Sequence, residues 1–551
     1  MGHRCGLNDL PDEIIEAVLG YTTAGDIASS SRTCRRIHVI VTASSQLQLI
    51  LELAVEGLRL RDYPPTLLPC GTGTKSAADL LLQLRQSKHA WISQKPLIEN
   101  SLLFSQSMYE IRDGLFAQTF QSESSLDPTD FINNDGIEIH SMWMEQDQKE
   151  LNIWRKHPDL GIVVRDFSFE TTEDLLALVE ATPHMAHERQ IKVHIRSLNT
   201  GLTHPQAKEA ILGGDFIPAW VGCDIKSCGD ILAVMFRIPS SWRYLYIWNW
   251  KTGEELYKRT NVCGYAYLSP KSFVVMLFQR YPHFTVENEQ ESANRPEDKL
   301  LLQIFEISRI HDSIFLEMLP KFAEEARVNV FSDRISLDSP NMPQDVPFSP
   351  FIRDETAERM IVIHYTSYRI FSFIRVRPLL HLLAKQKQLL SSMKRREYSW
   401  YEWSSGVAFC ITSTEIDLGS TPIYGSRVGL LCRRARLFDE GNLSEAEILQ
   451  GDSDLWQAPS FGILDFNPRP VLRELSLQKS EEHDKRTKSM ETVERFHQRL
   501  IFADAKPSSL LAKLRFFEGA AEEDYHDVML DTNHITLIKD SIGYALQQFM
   551  L

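Results

Sequence analysis

Short apolar runs separated by turn-forming residues recur from about residue 100 onwards, and they constrain the fold more than any other feature of this sequence. The runs are rich in Val, Ile, Leu, Phe and Tyr, and Gly, Pro, Asn and Asp lie between them. This texture is typical of β-strands joined by turns, so we expect an all-β sandwich, barrel or propeller. Examples are IKVHIRSL (191–198), DILAVMF (230–236), YLYIWNW (244–250), SFVVMLF (272–278), KLLLQIFEI (299–307) and RMIVIHYTSYRIFSFI (359–374).

Two segments of this region resemble each other, namely 173–201 (EDLLALVE…IKVHIRSLNTG) and 229–253 (GDILAVMF…YLYIWNWKTG). Each contains an acidic residue, two successive strand-like runs and a turn that ends in Thr-Gly. The offset of about 50 residues is the size of one four-stranded propeller blade, and the chain length is compatible with six to eight blades. The phrase YIWNWKTGEEL also resembles the last strand and exit turn of a WD-repeat blade, with Asn249 where aspartate is usual.

The N-terminal region has a different, helical pattern. Pro11 suits the first turn of a helix, Asp26 is expected to cap a second helix that carries Ile27, and a third helix follows through 34–40. Helices this short are marginal alone, so their apolar surface is covered either by a partner or by the rest of the chain. The apolar stripe of the first helix consists of Ile14, Ile15, Val18 and Leu19.

The phrase LPDEIIEAVLGY…GDIASSSRTCRRIHVI closely resembles an F-box. The resemblance implies docking on a Skp-type adaptor, which in turn binds a cullin scaffold. Thr22, Thr33 and Ile37 depart from the habitual pattern, in which leucine, valine and an aromatic residue are common at these positions. The adaptor-binding residues that the resemblance implies are Leu10, Pro11, Ile14, Ile15, Val18, Leu19, Ile27, Cys34, Arg35 and Ile37.

These patterns divide the chain into an F-box at 7–53, a helical linker at 54–99 and a divergent β-propeller-like substrate-binding domain at 100–551. The expected fold class is α+β multidomain: a small N-terminal three-helix F-box plus helical linker, then a large all-β, propeller-like domain. Three later segments resemble the divergent propeller-like domains that follow F-boxes in fungal proteins. They are 400–414, 422–431 and 461–475.

Charge and composition narrow the class of partner. The formal net charge is −15, whereas phosphate binding usually shows as a basic patch, so nucleic acid is disfavoured as the main partner. No apolar run reaches about 18 residues, so we expect no membrane-spanning helix. The eight cysteines follow no framework spacing, which indicates reduced thiols in the cytoplasm or nucleus.

Several motifs suggest chemistry and are better explained as structure. CGTGTKSAAD (70–79) lacks the glycine that a phosphate-binding loop needs before its lysine, because Thr74 stands there, so we expect a linker that caps the next helix. Cys223 and Cys228 lack the second pair that a zinc site requires, so we expect buried structural thiols. We expect no catalytic residue, cofactor or metal.

Other segments with distinctive composition are assigned to the fold. Five tryptophans could line a recognition pocket, but we favour the interpretation that they belong to the core of the blades. They are Trp242, Trp248, Trp250, Trp400 and Trp403. The polar segments 287–299 and 478–492 predict surface loops, and the basic segment 382–397 predicts a helical insertion.

The F-box resemblance implies a substrate-receptor subunit of an SCF-type cullin–RING ubiquitin ligase. The propeller would hold an unknown protein substrate, and catalysis would come from proximity rather than from residues of this chain. Two alternatives remain open at this point: an adaptor-bound scaffold or interaction protein without a ligase role, and a propeller enzyme with an N-terminal docking module.

Overall fold

The structure is a computed structural model. It describes residues 10–60, 76–93, 98–104, 108–121, 134–142, 152–181, 188–218, 220–238, 243–279, 299–318, 328–332, 350–354, 357–366, 370–389, 396–404, 407–412, 416–418, 422–432, 460–467, 513–517, 525–530, 534–539 and 544–550.

The N-terminal part is a helical module, as the sequence predicts. Thr23, not Asp26, is the N-cap of its second helix; Asp26 lies at the third helical position and completes the capping box. The predicted linker at 54–99 contains a strand as well as a helix. The fourth helix ends at Gly57, whose left-handed backbone (φ 70°) stops the helix, and a strand follows directly. The elements are α1 (Asp12–Gly20), α2 (Ala24–Ser31), α3 (Arg35–Ala43), α4 (Ser45–Glu56), β1 (Leu58–Leu60) and α5 (Ala77–Ser93).

The remainder is a large all-β domain, which confirms the predicted fold class. Its first three blades are four-stranded antiparallel sheets formed by consecutive strands. The domain begins with β2 (Ile98–Phe104). Blade 1 contains β3 (Tyr109–Arg112), β4 (Leu115–Phe120), β5 (Gly136–Ser141) and β6 (Asn152–His157). Blade 2 contains β7 (Val164–Glu170), β8 (Leu175–Glu180), β9 (Glu188–Ser197) and β10 (Ile211–Pro218), and blade 3 contains β11 (Gly222–Cys228), β12 (Ile231–Arg237), β13 (Arg243–Asn249) and β14 (Glu254–Thr260).

The next two blades are linked by inserted elements. Blade 4 contains β15 (Val262–Ser269), β16 (Ser272–Gln279), β17 (Lys299–Glu306) and β18 (Ile314–Glu317), with a 3-10 helix at Ile307–Asp312. The chain continues through β19 (Val328–Ser332), β20 (Phe351–Arg353), β21 (Met360–Tyr365), β22 (Ile370–Arg375), α6 (Val376–Leu389), β23 (Arg396–Tyr398), α7 (Trp400–Trp403) and β24 (Ala408–Thr412). Blade 5 consists of β19, β21, β22 and β24, while β23 pairs in parallel with β18 of blade 4. The predicted helical insertion at 382–397 is therefore helical only as far as Leu389 in the described residues.

Blades 6 and 7 complete the ring. Blade 6 contains β25 (Ile416–Asp417), β26 (Ile423–Tyr424), β27 (Arg427–Cys432), β28 (Ser460–Asp465) and β29 (Lys513–Phe517). Blade 7 contains β30 (Tyr525–Leu530), β31 (His534–Lys539) and β32 (Tyr544–Met550), and its fourth strand is β2 from the N-terminal side of the domain. The described strands thus form seven sheets of four or more strands, the architecture of a β-propeller.

Each blade buries both faces against its neighbours, and this explains the continuous apolar runs. In β12, Leu232, Val234 and Phe236 pack against blade 2. The alternate residues Ile231, Ala233 and Met235 pack against blade 4. A strand buried on both faces has no polar alternation, since successive side chains point to opposite and equally apolar sides.

One backbone hydrogen bond recurs in six of the seven blades. The residue after the third strand donates its N–H to the carbonyl of the residue just before the second strand. The pairs are Met142 to Gly114, Leu198 to Asp174, Trp250 to Asp230, Ile307 to Lys271, Val376 to Arg359 and Phe466 to Ser426, with N···O distances of 2.7–3.0 Å. This repetition identifies the blades as copies of one unit even where their sequences show no similarity.

The turn predicted from the internal repeat is also the same in both copies. The N–H of Gly201 donates to the carbonyl of Ser197 (2.8 Å), and that of Gly253 donates to the carbonyl of Asn249 (2.9 Å). The side-chain oxygens of Ser197 and Asn249 each accept the backbone N–H three residues later, at 3.2 and 3.1 Å. Both glycines have positive φ, 71° and 79°, which accounts for the shared Thr-Gly ending.

The close approach of blades 4 and 5 yields a stability prediction. A Cβ at Gly264 of β15 would lie 2.8 Å from the Cβ of Val330 in β19. We expect Gly264→Ala to lower the free energy of unfolding by about 1–3 kcal/mol through overpacking, as measured by chemical denaturation. Gly25→Ala in α2 is the matched control, because its new Cβ would meet only the Thr23 hydroxyl at 3.7 Å. Equal stability of the two variants would contradict this packing.

Candidate protein-binding site

The apolar stripe of α1 is divided between two faces of the helix. Ile15 and Leu19 point inward and are 0% and 5% exposed, whereas Ile14 and Val18 point outward and are 47% and 46% exposed. Tyr21, which follows the helix on the same outward side by its spacing, is 94% exposed. We call Ile14, Val18 and Tyr21 the outer α1 face. It is an apolar row that the protein itself leaves in contact with solvent.

The structure corrects the assignment of the whole stripe to an adaptor-binding surface. Four of the ten predicted adaptor-binding residues form the internal core of the helical module with Ile40, Val41 and Leu47; they are Ile15, Leu19, Ile27 and Ile37. The physical reason is that α1, α2 and α3 need these side chains to pack against one another and α4. Of the other six, Pro11, Ile14, Val18 and Arg35 are exposed, and Leu10 and Cys34 are partly buried at the edge of this core. The adaptor-binding role of the exposed residues stays a prediction.

Arg36, which the sequence pattern includes but the predicted site does not, fixes the start of α1. Its guanidinium donates to the Asp12 carboxylate (2.9 Å from Nε) and to the carbonyl of Leu10 (2.6 Å). At the other end of α3, the hydroxyl of Ser44 donates to the Glu16 carboxylate at 2.5 Å. These contacts hold α1 against α3 and thereby set the direction of the outer α1 face.

The helical module is fastened to the propeller by backbone contacts at the end of α4. Strand β1 pairs antiparallel with β20, from Leu58↔Arg353 to Leu60↔Phe351. The N–H of Asp354 donates to the carbonyl of Gly57 (2.9 Å), and the side-chain amide of Asn467 donates to the carbonyl of Val55 (3.1 Å). Because one contact is to the segment before blade 5's second strand and another is to blade 6, the module is tied to two blades at once.

Charged side chains reinforce this junction. Arg427 of β27 lies 3.3 Å from both the Glu56 carboxylate of α4 and the Asp465 carboxylate of β28. Lys88 of α5 lies 3.1 Å from Glu56 and from Glu52. Glu56 is almost fully buried, so removal of its cationic partners would leave a costly buried charge. We call these contacts, together with the β1–β20 pairing, the junction.

The cysteines in β11 are structural, as predicted. Cys223 and Cys228 are buried on a single strand, and the thiol of Cys223 donates to the Asp166 carboxylate of β7 at 3.4 Å. Burial raises the pKa of the Cys223 thiol well above its usual range, which opposes the thiolate form that binds zinc. Within the described residues no group of three or more His, Cys, Asp and Glu is placed to hold a metal ion.

The remaining sequence candidates belong to the fold where the structure describes them. Ser76 caps α5 by a reciprocal pair of hydrogen bonds with Asp79, at 3.2 and 3.0 Å. Residues 76–79, the described part of the motif at 70–79 that resembles a phosphate-binding loop, are therefore a helix cap. Four of the five singled-out tryptophans are buried, which confirms the core interpretation for Trp248, Trp250, Trp400 and Trp403. Trp242, the glycine-rich part of the motif and nearly all of the two polar segments at 287–299 and 478–492 lie outside the described residues.

A membrane-spanning element is not evident in the part of the chain that the structure describes. No single helix there is long and apolar enough to cross a bilayer. The helices Arg35–Ala43 and Ser45–Glu56 are long and apolar enough only when they are taken together, and the chain bends by 83° between them.

Comparisons with known proteins add little to this geometry. No protein-family model matches the sequence, and no curated protein matches it. Among solved structures, the chain is similar to the β-propeller domain of the Trilobed protease from Pyrococcus furiosus, with 8% identity over 80% of this chain and 92% of that one, at a TM-score of 0.33. It is also similar to the WD40 domain of SCAP from fission yeast, with 5% identity over 83% and 97% and a TM-score of 0.33.

A third similar structure, hydrazine synthase of Kuenenia stuttgartiensis, shares 11% identity over 50% of this chain and 66% of that one, so this chain spans less than two thirds of it. Its TM-score is 0.25. Because all three scores are low, the class of protein follows from the strand pairing described above. The chain is a β-propeller with an N-terminal helical module.

The contact between Asp166 and Cys223 predicts a pH dependence of stability. Burial raises the pKa of Asp166 from 3.8 to about 7, so the folded state holds this proton more tightly than the unfolded state does. The stability contributed by this group is complete below the unfolded pKa of 3.8 and is lost as pH rises through about 7. We expect Asp166→Asn to remove that loss of stability, which amounts to about 1.4 kcal/mol for each pH unit between the unfolded and folded pKa values.

The measurement compares urea denaturation of the wild type and Asp166→Asn at about pH 5 and about pH 8. The variant should gain stability relative to the wild type at the higher pH. Asp215→Asn is the control, because pairing with Lys258 lowers the pKa of Asp215 below its usual 3.8. Asp215 is therefore ionised in both the folded and unfolded states between about pH 5 and about pH 8, and its substitution should have the same effect on stability at both pH values. A difference between wild type and Asp166→Asn that does not change with pH would contradict the assignment.

Proposed function

We propose that this protein is a substrate receptor of an SCF-type ubiquitin ligase. The N-terminal helical module binds a Skp-type adaptor, and the propeller holds a protein substrate. The adaptor connects the receptor to a cullin scaffold, so that substrate lysines are brought close to a ubiquitin-conjugating enzyme. The chain contributes proximity and orientation rather than reacting groups.

The observation that carries this proposal is the outer α1 face. After the module has formed its own core, Ile14, Val18 and Tyr21 remain exposed within the very segment that resembles an F-box. Exposed apolar side chains in a row on one helix favour a protein partner over solvent. Burial of each large aliphatic side chain supplies about 1.5–3 kcal/mol, part of which offsets the ordering cost of association.

The junction supports the same proposal. A receptor of this kind works only if the two bound proteins are held at a defined separation and orientation. Here the C-terminal end of α4 is fixed to blades 5 and 6 by strand pairing, two hydrogen bonds to its backbone carbonyls and the ion pairs of Glu56. A flexible tether between the two parts would not need such contacts.

The alternative is an adaptor-bound scaffold or interaction protein without a ligase role. It shares the adaptor contact but predicts that no cullin accompanies the complex. Isolation of the intact chain from its own cells, followed by mass spectrometry of the accompanying proteins, separates these two functions. Recovery of adaptor with cullin supports the receptor, and recovery of adaptor alone supports the scaffold.

The outer α1 face yields a direct prediction. We expect Ile14→Asp combined with Val18→Asp to abolish adaptor pull-down, because two carboxylates would be desolvated at the interface. Both residues are nearly half exposed, so the free energy of unfolding of the double variant should stay within about 0.5 kcal/mol of the wild type.

The matched control is Leu82→Asp combined with Leu202→Asp, which places the same charges on leucines that are 57% and 70% exposed elsewhere. This control should bind the adaptor normally. Substitution of Leu19, which is buried in the module core, is unsuitable because it would unfold the helices. Retained adaptor binding by the Ile14/Val18 variant would overturn the interface.

A further inference from the structure

Four arginines gather at one end of blades 2 and 3. Arg165 lies near the start of β7, Arg189 near the start of β9, Arg237 at the end of β12 and Arg243 at the start of β13. We call these four residues the arginine rim. In an antiparallel blade, this is the end opposite to the turn between the first and second strands.

The helical module docks at the other end of the ring. Arg427 and Asn467 of the junction lie beside the turn that precedes the second strand of blade 6 and just after its third strand. The arginine rim therefore lies on the end of the propeller that faces away from the module. A protein bound there would not compete with a partner of the outer α1 face.

Backbone carbonyls accept hydrogen bonds from three of these guanidinium groups. Arg165 donates to the carbonyl of Val221 and Arg189 to that of Trp220, both at 2.7 Å, and Arg243 donates to the carbonyl of Cys263. A carbonyl fixes a guanidinium in place but does not neutralise its charge. Arg189 is buried and its charge acts on this surface only from beneath, whereas Arg165 and Arg243 are partly exposed.

The pairing of Arg237 with Arg243 is unfavourable in the unbound protein. The two residues lie directly opposite each other on the antiparallel strands β12 and β13. Like charges in this position destabilise a sheet. Arg237 is exposed and, within the described residues, makes no hydrogen bond or ion pair. An anion bound between the two would relieve their repulsion.

Nearby carboxylates in the described residues offset this charge only in part: the buried Asp166 attracts Arg237, and Asp224 attracts Arg243. Asp224 is 3.5 Å from Lys226, a further cation. Glu180 is engaged by Lys192 at 3.0 Å and by His194 at 2.8 Å. Two further acidic groups that the structure describes at this end of blades 2 and 3 are Asp166, whose pKa of about 7 leaves it partly protonated near neutrality, and the exposed Glu188. On a chain of net charge −15, a local excess of positive charge is a distinctive surface.

We propose that the arginine rim binds a carboxylate-rich peptide segment of a partner protein. Guanidinium forks match carboxylates in a bidentate geometry, which favours an acidic peptide. Val221, 53% exposed beside the Arg165 contact, offers an apolar neighbour for such a segment. The inference extends the proposed function to the propeller and names the class of segment that it would hold.

The test uses the full-length chain and fluorescence polarisation with two labelled peptides. One alternates Glu and Ser, and the other replaces every Glu by Gln. We expect binding of the acidic peptide alone, with affinity that falls as salt rises. Arg237→Ala combined with Arg243→Ala should weaken binding about tenfold or more. Lysine at both positions should restore part of the affinity, because it keeps the charge but loses the fork.

The matched control is Arg32→Ala combined with Arg309→Ala, which makes the same change in net charge at exposed positions outside the rim. Unchanged affinity in this control supports the proposal, and an equal loss would overturn it in favour of general electrostatics. Absence of acidic-peptide binding by the wild type would also overturn it. A phosphoserine version of the peptide that competes for the same arginines supports the site with phosphate as the anion. Tighter binding of single-stranded nucleic acid would refute a peptide site.

This test is independent of the adaptor proposal. The assay contains no adaptor, and the arginine variants lie at the opposite end of the ring from the helical module. Adaptor pull-down by the Arg237/Arg243 variant should match that of the wild type. Failure of peptide binding would therefore leave the proposed adaptor contact standing, and failure of the adaptor contact would leave the peptide site standing.

Discussion

Antiparallel pairing of β2 with β32 joins the two ends of the propeller through an aligned register from Ile98↔Met550 to Phe104↔Tyr544. Every other blade is built from a local stretch of chain, but blade 7 takes its outer strand from the N-terminal side of the domain. Without this pairing the ring has two open sheet edges, and the faces of its end blades lose a neighbour. Met529 of blade 7 then has no contact with Ile111, Phe116 and Met142 of blade 1.

The closed ring also supports the helical module, and it thereby holds the two proposed binding surfaces in a fixed arrangement. Because the end of α4 is tied to blades 5 and 6, the outer α1 face has a fixed orientation relative to the propeller. The arginine rim of blades 2 and 3 lies on the opposite end of the same ring. The protein therefore presents two chemically different surfaces, one apolar and one cationic, that are separated by the thickness of the propeller.

Sequence reasoning found the propeller through blades 2 and 3 because these two blades have short connections and the same turn, at Ser197–Gly201 and Asn249–Gly253. In blade 5, β20 precedes the second strand and α6 follows the third, so the spacing of the repeat is lost. What these blades share is a backbone hydrogen bond, such as that from Val376 to Arg359, which no side-chain pattern encodes.

The site was only partly predictable for a related reason. The spacing of Ile14, Ile15, Val18 and Leu19 shows that α1 is amphipathic, but it does not show which half of a wide stripe packs inward. That choice depends on α3 and α4, where Ile37, Ile40 and Leu47 meet Ile15 and Leu19. The junction was beyond reach, since Glu56 and Arg427 are 371 positions apart and Val55 and Asn467 are 412 apart.

The closing sheet also governs when this protein can finish folding. During synthesis β2 leaves the ribosome early, after the helices, and it must wait for its partner strand while more than four hundred further residues are made. Contacts of such sequence separation form slowly, and an unpaired strand edge is prone to pair with other chains in the meantime. The topology thus leaves the edge of β2 exposed to intermolecular pairing until the last strand of the ring has been made.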